Sequence, residues 1–269
     1  MLNELTLYEN ESVEEVIPLL EKDAITYSVL ISILKRPCTK TYTNHENIII
    51  CYSCAPYPVW VWYDGNKKDE LESIADCLKT NFPIEEGYHY NLEVELFEDL
   101  QEVDDYFKDI HETMGLFSYK LRRIRPFLKK CEGELSIPQL EDLELLASYW
   151  QDSVKEMEEF EFTYDQCLGT VLKKIEDGTL HIWVDDREKI VALCDCINVG
   201  IFSKISGVYT LPEERRKGYA LNLVKEVTQK VLDEDLIPIL YTNSNYEASN
   251  ACYKKIGYKV EGRLCTVGK

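Results

Sequence analysis

Apolar positions along this chain follow two spacings, and the change from one to the other marks out its elements. Through residues 12–34 they return every three or four residues behind Ser12 and Glu15, which stand at capping-box spacing, so a helical segment is predicted there. Asn47–Tyr52 and Pro58–Tyr63 are compact runs of isoleucine, valine and aromatics parted by a proline-containing turn, the pattern of strands. Helical spacing near Lys68–Leu78 and Phe97–His111 alternates with strand-like runs near Tyr90–Leu96 and Leu116–Arg122, so the first half reads as α/β.

The periodicity breaks at Arg125–Gly133, where Pro126, two lysines and a glycine intervene, and the domain boundary is placed there, giving 1–130 and 131–269. Beyond it the pattern predicts a strand at Glu134–Ile137 and helices over Pro138–Met157 and Tyr164–Glu176, the second stopping at Gly178. Strands at Leu180–Val184, Ile190–Ile197 and Ile201–Thr210 follow. A helix over Tyr219–Leu232, with Leu221, Val224, Val227 and Val231 on one face, precedes a strand at Ile237–Tyr241. A helix over Ala248–Ile256 then ends at Gly257, and a last strand starts at Tyr258.

Composition narrows the classes. At 269 residues and 45% hydrophobic, the chain can build two cores. It has no cationic start followed by an apolar run, and no stretch of about 18 uncharged apolar residues, so a cytoplasmic protein away from membranes is expected. The balance of 30 basic against 49 acidic residues, net −19, argues against nucleic acid as a partner and suits a soluble surface or a cationic substrate. Ten cysteines in such a chain are expected to stay reduced. Cys51 and Cys54 have CxxC spacing but no second pair to complete a metal site, so they read as core thiols and no metal is expected. Cys194 and Cys196 share one face of a strand and read as packed.

Candidate chemistry concentrates in Gly207-Val208-Tyr209-Thr210-Leu211-Pro212-Glu213-Glu214-Arg215-Arg216-Lys217-Gly218-Tyr219-Ala220. A strand runs here into a turn whose small residues open a long helix, so backbone N–H groups without helical partners converge at the positive end of its dipole. Arg215, Arg216 and Lys217 add charge, and a pyrophosphate would suit the place. A charged turn before a surface helix would look similar. A second strand-to-helix junction follows at Ser249-Asn250-Ala251-Cys252-Tyr253-Lys254-Lys255-Ile256-Gly257-Tyr258, and two junctions side by side make a cleft.

These two segments resemble the motifs of the GNAT (GCN5-related N-acetyltransferase) superfamily: the V-x-x-x-x-R-x-x-G-x-A signature at the end of the fourth strand, and the short helix with a tyrosine closed by glycine and an aromatic. The resemblance is direct over about 133–269. It implies a mixed, mostly antiparallel sheet flanked by helices, preceded by a smaller α/β domain that resembles a decayed copy without the phosphate turn. It further implies acetyl-CoA as co-substrate. Val208 and Thr210, with Tyr209 between them, would line the pantetheine arm, and Arg215, Arg216, Lys217, Gly218, Tyr219 and Ala220 would wrap the pyrophosphate. Ser249 and Asn250 would lie near the pantetheine. Tyr253 matches the tyrosine that protonates the departing thiolate in many members. Relatives carry an asparagine seven residues before that tyrosine; here that position is Tyr246 and the nearby residue is Asn245, which is included on weaker grounds.

The implied reaction is transfer of an acetyl or short acyl group to a primary amine by direct attack in a ternary complex. The fourth strand of this fold typically splays from the fifth, leaving amides that polarise the thioester. Cys252 is not expected to act covalently, since its helical position points away from Tyr253. Carboxylates that could take the amine proton are Asp195, Glu156, Glu158, Glu159 and Glu161, all read as solvated charges, while His181 reads as structural. The acceptor expected is a small amine or basic peptide, drawn by the net charge and by the acidic run 156–161 with Phe160, Phe162 and Tyr164. The alternatives are a non-catalytic acyl-CoA sensor or interaction module, and acylation of a free amino acid, because SN-x-x-Y-x-x-I-G-Y also resembles the ending of glycine acyltransferases. The first domain would shape the acceptor site or form a homodimer contact.

Overall fold

The computed structural model describes residues 5–37, 40–126, 130–157 and 162–269. The chain forms two compact units that are interleaved in sequence: Met1–Ser118 with Thr242–Asn245 and Val260–Lys269, and Tyr119–Tyr241 with Tyr246–Lys259. In chain order the elements are β1 (Thr6–Glu9), a 3-10 helix (Glu14–Asp23), α1 (Ser28–Leu34), β2 (Lys40–Thr43), β3 (Ile48–Tyr52), β4 (Val59–Tyr63) and α2 (Lys68–Asn81). They continue as β5 (Tyr90–Glu93), α3 (Val94–Val103), β6 (His111–Lys120), β7 (Glu134–Ser136), α4 (Leu143–Met157), α5 (Tyr164–Glu176), β8 (Leu180–Val184) and β9 (Ile190–Val199). The last are β10 (Phe202–Thr210), α6 (Tyr219–Asp233), β11 (Ile237–Asn243), α7 (Glu247–Ile256) and β12 (Lys259–Gly268).

The first unit is built on β1–β4, each antiparallel to the next, with β5 parallel to β4 and β12 antiparallel to β5. Both faces of its central strands are covered. Ile48, Ile50, Val59 and Val61 enter a core with α2 and α3, while Ile49, Cys51, Trp60 and Trp62 enter another with α1 and the 3-10 helix. Burial on both faces explains why the sequence runs here lack polar alternation. The helix expected over 12–34 is split: Pro18 lies inside its first part, which is a 3-10 helix without a side-chain cap, because proline supplies no N–H. The helix expected over Phe97–His111 starts at Val94, ends at Val103 and gives way to a 3-10 turn at Asp105–Asp109. A single cut after residue 130 does not describe these units. Leu264, Cys265 and Val267 of β12 are buried in the first unit's cores, so hydrophobic burial draws the last strand there.

In the second unit β7, β8, β9 and β10 form antiparallel pairs, and β11 lies parallel to β10. Leu146, Val171, Leu180, Ile182, Leu193 and Tyr209 make one core with α4 and α5 against the sheet. Leu223, Val224, Val227 and Val231 are the buried stripe of α6, close to the face read from sequence.

Two irregularities position everything that follows. β10 pairs with β11 only over Phe202–Ile205 against Ile237–Leu240. Its register with β9 shifts between Ser206 and Tyr209. Gly207 lies in that shift with φ +58°, and a Cβ there would stand 2.7 Å from the Trp150 ring of α4. Only glycine meets both demands, so the bulge is written into the strand at this residue. From Ser206 onward β10 therefore runs without a β11 partner. Among the described residues no helix is long and apolar enough to cross a membrane.

Candidate active site

Past Thr210 the chain makes a single 3-10 turn at Pro212–Glu214 and reverses through Arg215–Gly218 into α6. Arg216 and Gly218 both have positive φ, +64° and +94°, which curls the backbone into a concave turn. A Cβ at Gly218 would meet nothing closer than 3.7 Å, so its backbone angle and not crowding calls for glycine. Gly218 is the N-cap of α6 and offers no side-chain cap, and the first turn holds no acidic residue. The first helical bond runs from the Asn222 amide to the Gly218 carbonyl, which leaves the amides of Tyr219, Ala220 and Leu221 without helical partners.

The three cations of the turn have different surroundings. Arg215 donates Nε to the Thr210 carbonyl, places NH2 2.7 and 2.6 Å from the two oxygens of Glu156, and stacks 5.7 Å from the Tyr209 ring centroid. Lys217 Nζ donates to Glu214 at 2.6 Å. Arg216 is exposed and makes no ion pair among the described residues.

Under the turn lies an ionic network that sequence reasoning missed. Glu214 is 3% exposed and accepts from Lys217, from Arg187 at 2.8 Å and from Lys189 at 3.4 Å. Arg187 also donates to Asp185, whose carboxylate takes the backbone amides of Arg187 and Lys189. Hydrogen bonds from Lys217 and Arg187 hold the Glu214 carboxyl down to about 2. Burial would raise Asp185, but its bonds from Arg187 and those amides outweigh it and hold the group below the usual carboxylate range. In sequence Asp185-Asp186-Arg187-Glu188 is a polar turn between two strands, and nothing local shows Glu214 reaching it.

Val208, Tyr209 and Thr210 lie on the part of β10 that has no β11 partner, and Thr210 Oγ1 is buried without a hydrogen-bond partner among the described residues. Tyr253 of α7 is 7% exposed, its ring against Tyr119 and Tyr258. Burial pushes its phenol far above the usual range, with smaller contributions from Cys252, Cys194 and Tyr119. Asn250 is buried, accepting from the Tyr119 hydroxyl at 2.8 Å and donating to the Tyr246 carbonyl at 3.0 Å, so its amide serves packing within α7. Ser249 is half-buried on the same helix. Asn245 is exposed, caught in an Asx turn by Asn243, and belongs to the short stretch grouped with the first unit.

The expectation for Asp195 changes. Asp195 is not a solvated charge: it is 1% exposed and 2.5 Å from Lys174 Nζ. Glu156 is engaged by Arg215, and Glu158, Glu159, Phe160 and Glu161 lie outside the described residues. His181 bonds the Thr179 carbonyl, and burial pulls its pKa down. Burial pushes the Cys252 thiol up to about 11, away from a reactive thiolate.

The carboxylate network carries a pH signature. Glu214 in the fold sits at about 2, and an unfolded glutamate at about 4.3. Its depressed value stabilises the native state fully above the unfolded value, and that contribution disappears as the pH falls toward the folded one. Glu214→Gln is expected to lower the Tm most at pH 7, and the gap to the wild type should close between about pH 5 and pH 2. Scanning calorimetry across that range checks this, and a gap independent of pH contradicts it.

Comparison with known proteins agrees with this geometry. The family described as FR47-like protein matches residues 185–266, which hold the turn, α6 and α7. No curated protein matches the chain by sequence. Among solved structures, an acetyltransferase of the GNAT family from Colwellia psychrerythraea superposes with TM-score 0.65 at 12% identity, covering 97% of this chain and 98% of its own. A Drosophila protein gives TM-score 0.65 at 13% identity, covering 98% and 97%. A GCN5-related N-acetyltransferase from Sphaerobacter thermophilus gives 0.60 at 13%, covering 97% and 94%. At such identities the structures show a shared fold, here over the length of both units. Residues 185–266 thus match the FR47-like family, and the chain shares its fold with these acetyltransferase structures.

Proposed function

We propose that this protein is a cytoplasmic N-acyltransferase that moves an acetyl or short acyl group from acetyl-CoA to a primary amine. The observation that carries the reading is the uncapped start of α6, three amides without helical partners behind a left-handed Gly218. A diphosphate supplies the acceptors such amides lack. Arg216 adds a cation that has no ion pair among the described residues, whereas Lys217 and Arg215 act mainly to hold the turn. Thr210 Oγ1, buried and without a partner, fits a polar group of an arm running back along β10.

The chemistry follows from the opening of β10. Amides after Ile205 that have no β11 partner can donate to a thioester oxygen as negative charge builds there. The amine forms the C–N bond while the C–S bond breaks; it loses a proton to a base, and the departing thiolate takes one from Tyr253. Burial keeps the Tyr253 phenol protonated until then. Neither the raised Cys252 nor the ion-paired Asp195 offers a nucleophile, so transfer is direct. The amine acceptor is read as small or basic, from the net charge of −19.

The first unit is read as a copy of the same fold whose anion position is closed from within. Its α2 has Lys67 as N-cap, with Asp69 and Glu70 in the first turn. Glu70 is buried and accepts from Lys67 Nζ, the Tyr63 hydroxyl and Asn47, while the Lys67 amide donates to Tyr63. Burial would raise Glu70, but these bonds outweigh it and hold it below its ordinary value. Negative charge in this first turn disfavours a phosphate there.

CoA at 100 times its Kd is expected to stabilise the native protein by about 2.7 kcal/mol. Gly218→Glu should abolish the rise in Tm, because it brings a Cβ and a negative charge to the turn. An undiminished shift in that variant would sink the site. The competing sensor reading is favoured by the packing of Tyr253 between two rings. Tyr253→Phe decides between them: general-acid loss predicts a kcat lower by about 10- to 1000-fold with CoA affinity kept. Equal rates in a thiol-release assay across pH would remove Tyr253 from the chemistry.

A further inference from the structure

The bulge at Gly207 is covered from α4 by one side chain. Trp150 Cη2 stands 2.7 Å and Cζ3 3.0 Å from the place a Cβ on Gly207 would take, so the indole fills the space beside the bulge. The ring is held there in turn. Lys174 of α5 sets its Nζ 4.9 Å over the indole, and the same ammonium lies 2.5 Å from Asp195. Asp195 is in register with Ser206, the residue before Gly207. Lys174 is only 15% exposed and Asp195 is 1% exposed, and the second carboxylate oxygen, Oδ1, is buried without a hydrogen-bond partner. Such a pair costs desolvation that a surface pair does not, and a cation held against an aromatic face fixes that ring.

Gly207 is also where β10 has just left β11, beyond the last paired residues Ile205 and Leu240. If a thioester carbonyl is polarised by amides of this stretch, the carbons beyond it must extend into the gap at the bulge. Trp150 borders that gap.

We propose that Trp150 sets the length of acyl group the site takes, closing the gap after about two carbons, and that Lys174, held by Asp195, is the positioning residue for its ring. This rests on the acyl-CoA reading of the turn at Gly218 and goes past it to the identity of the acyl group. A hydrophobic pocket discriminates about 10- to 200-fold per methylene that it admits or refuses.

The test needs no acceptor amine. CoA, acetyl-CoA and hexanoyl-CoA are titrated calorimetrically into the full chain and its variants. In Trp150→Ala the ratio of hexanoyl-CoA to CoA Kd is expected to fall at least about tenfold relative to wild type, with the Kd for CoA itself unchanged. Trp150→Phe, which keeps an aromatic ring on the core, should shift the ratio in the same direction by less. Lys174→Met should also lower it, because the ring loses its cation. The same ratio in wild type and both Trp150 variants overturns the proposal, and a ratio unmoved by Lys174→Met removes the positioning role. Failure of the wild type to bind CoA at all would instead refute the underlying reading of the site.

Discussion

A helix that starts without a cap leaves its first amides in search of an acceptor, and α6 starts this way at Gly218. Most of the second unit's local structure can be traced to keeping it so. The left-handed Arg216 and Gly218 bend the chain into the helix without placing a side chain in the turn. Lys217, the nearest cation to the N-cap, is turned toward Glu214, and Glu214 is anchored to Arg187, Lys189 and, through Arg187, Asp185. Glu214 and Asp185 are thereby held in ion pairs, and no carboxylate stands in the first turn of α6. In the first unit, by contrast, the first turn of α2 carries Asp69 and Glu70, and Glu70 is buried in side-chain bonds from Lys67 and Tyr63.

The second constraint is the parting of β10 and β11. A parallel pair that ran the full length of both strands would satisfy every amide on that edge and leave nothing to polarise a carbonyl. Pairing stops at Ile205, just before the bulge at Gly207 against which Trp150 packs. In the proposed function the turn would hold one end of a ligand and the bulge receive the other; both the turn and the bulge depend on glycines at positions where backbone angle or space excludes other residues.

What could be read from the sequence was local. The turn, the helix after it, α5 over Tyr164–Glu176 and β8 over Leu180–Val184 lie where periodicity, caps and β-branched runs put them, because those signals act within a few residues. The short strands β1 and β2 carry too few residues for a pattern, and β6 begins four residues before its first buried position, in the exposed polar residues His111, Glu112 and Thr113. Partners far apart in sequence escaped as well: Glu156 for Arg215, Glu214 for Arg187, and Lys174 for the buried Asp195. Gly207 was the signal left unused, since a glycine inside a strand pattern points to a bulge or a close approach.

The claim on which the rest stands is that the amides opening α6 receive the phosphates, and that those opening α2 cannot. Amide resonances of an isotope-labelled full chain, followed by heteronuclear NMR as CoA is added, test it directly. The account predicts saturable shifts at Gly218, Tyr219, Ala220 and Leu221, with Lys67, Lys68, Asp69 and Glu70 unmoved. Shifts centred on the start of α2, or none at the start of α6 with CoA bound, would contradict it.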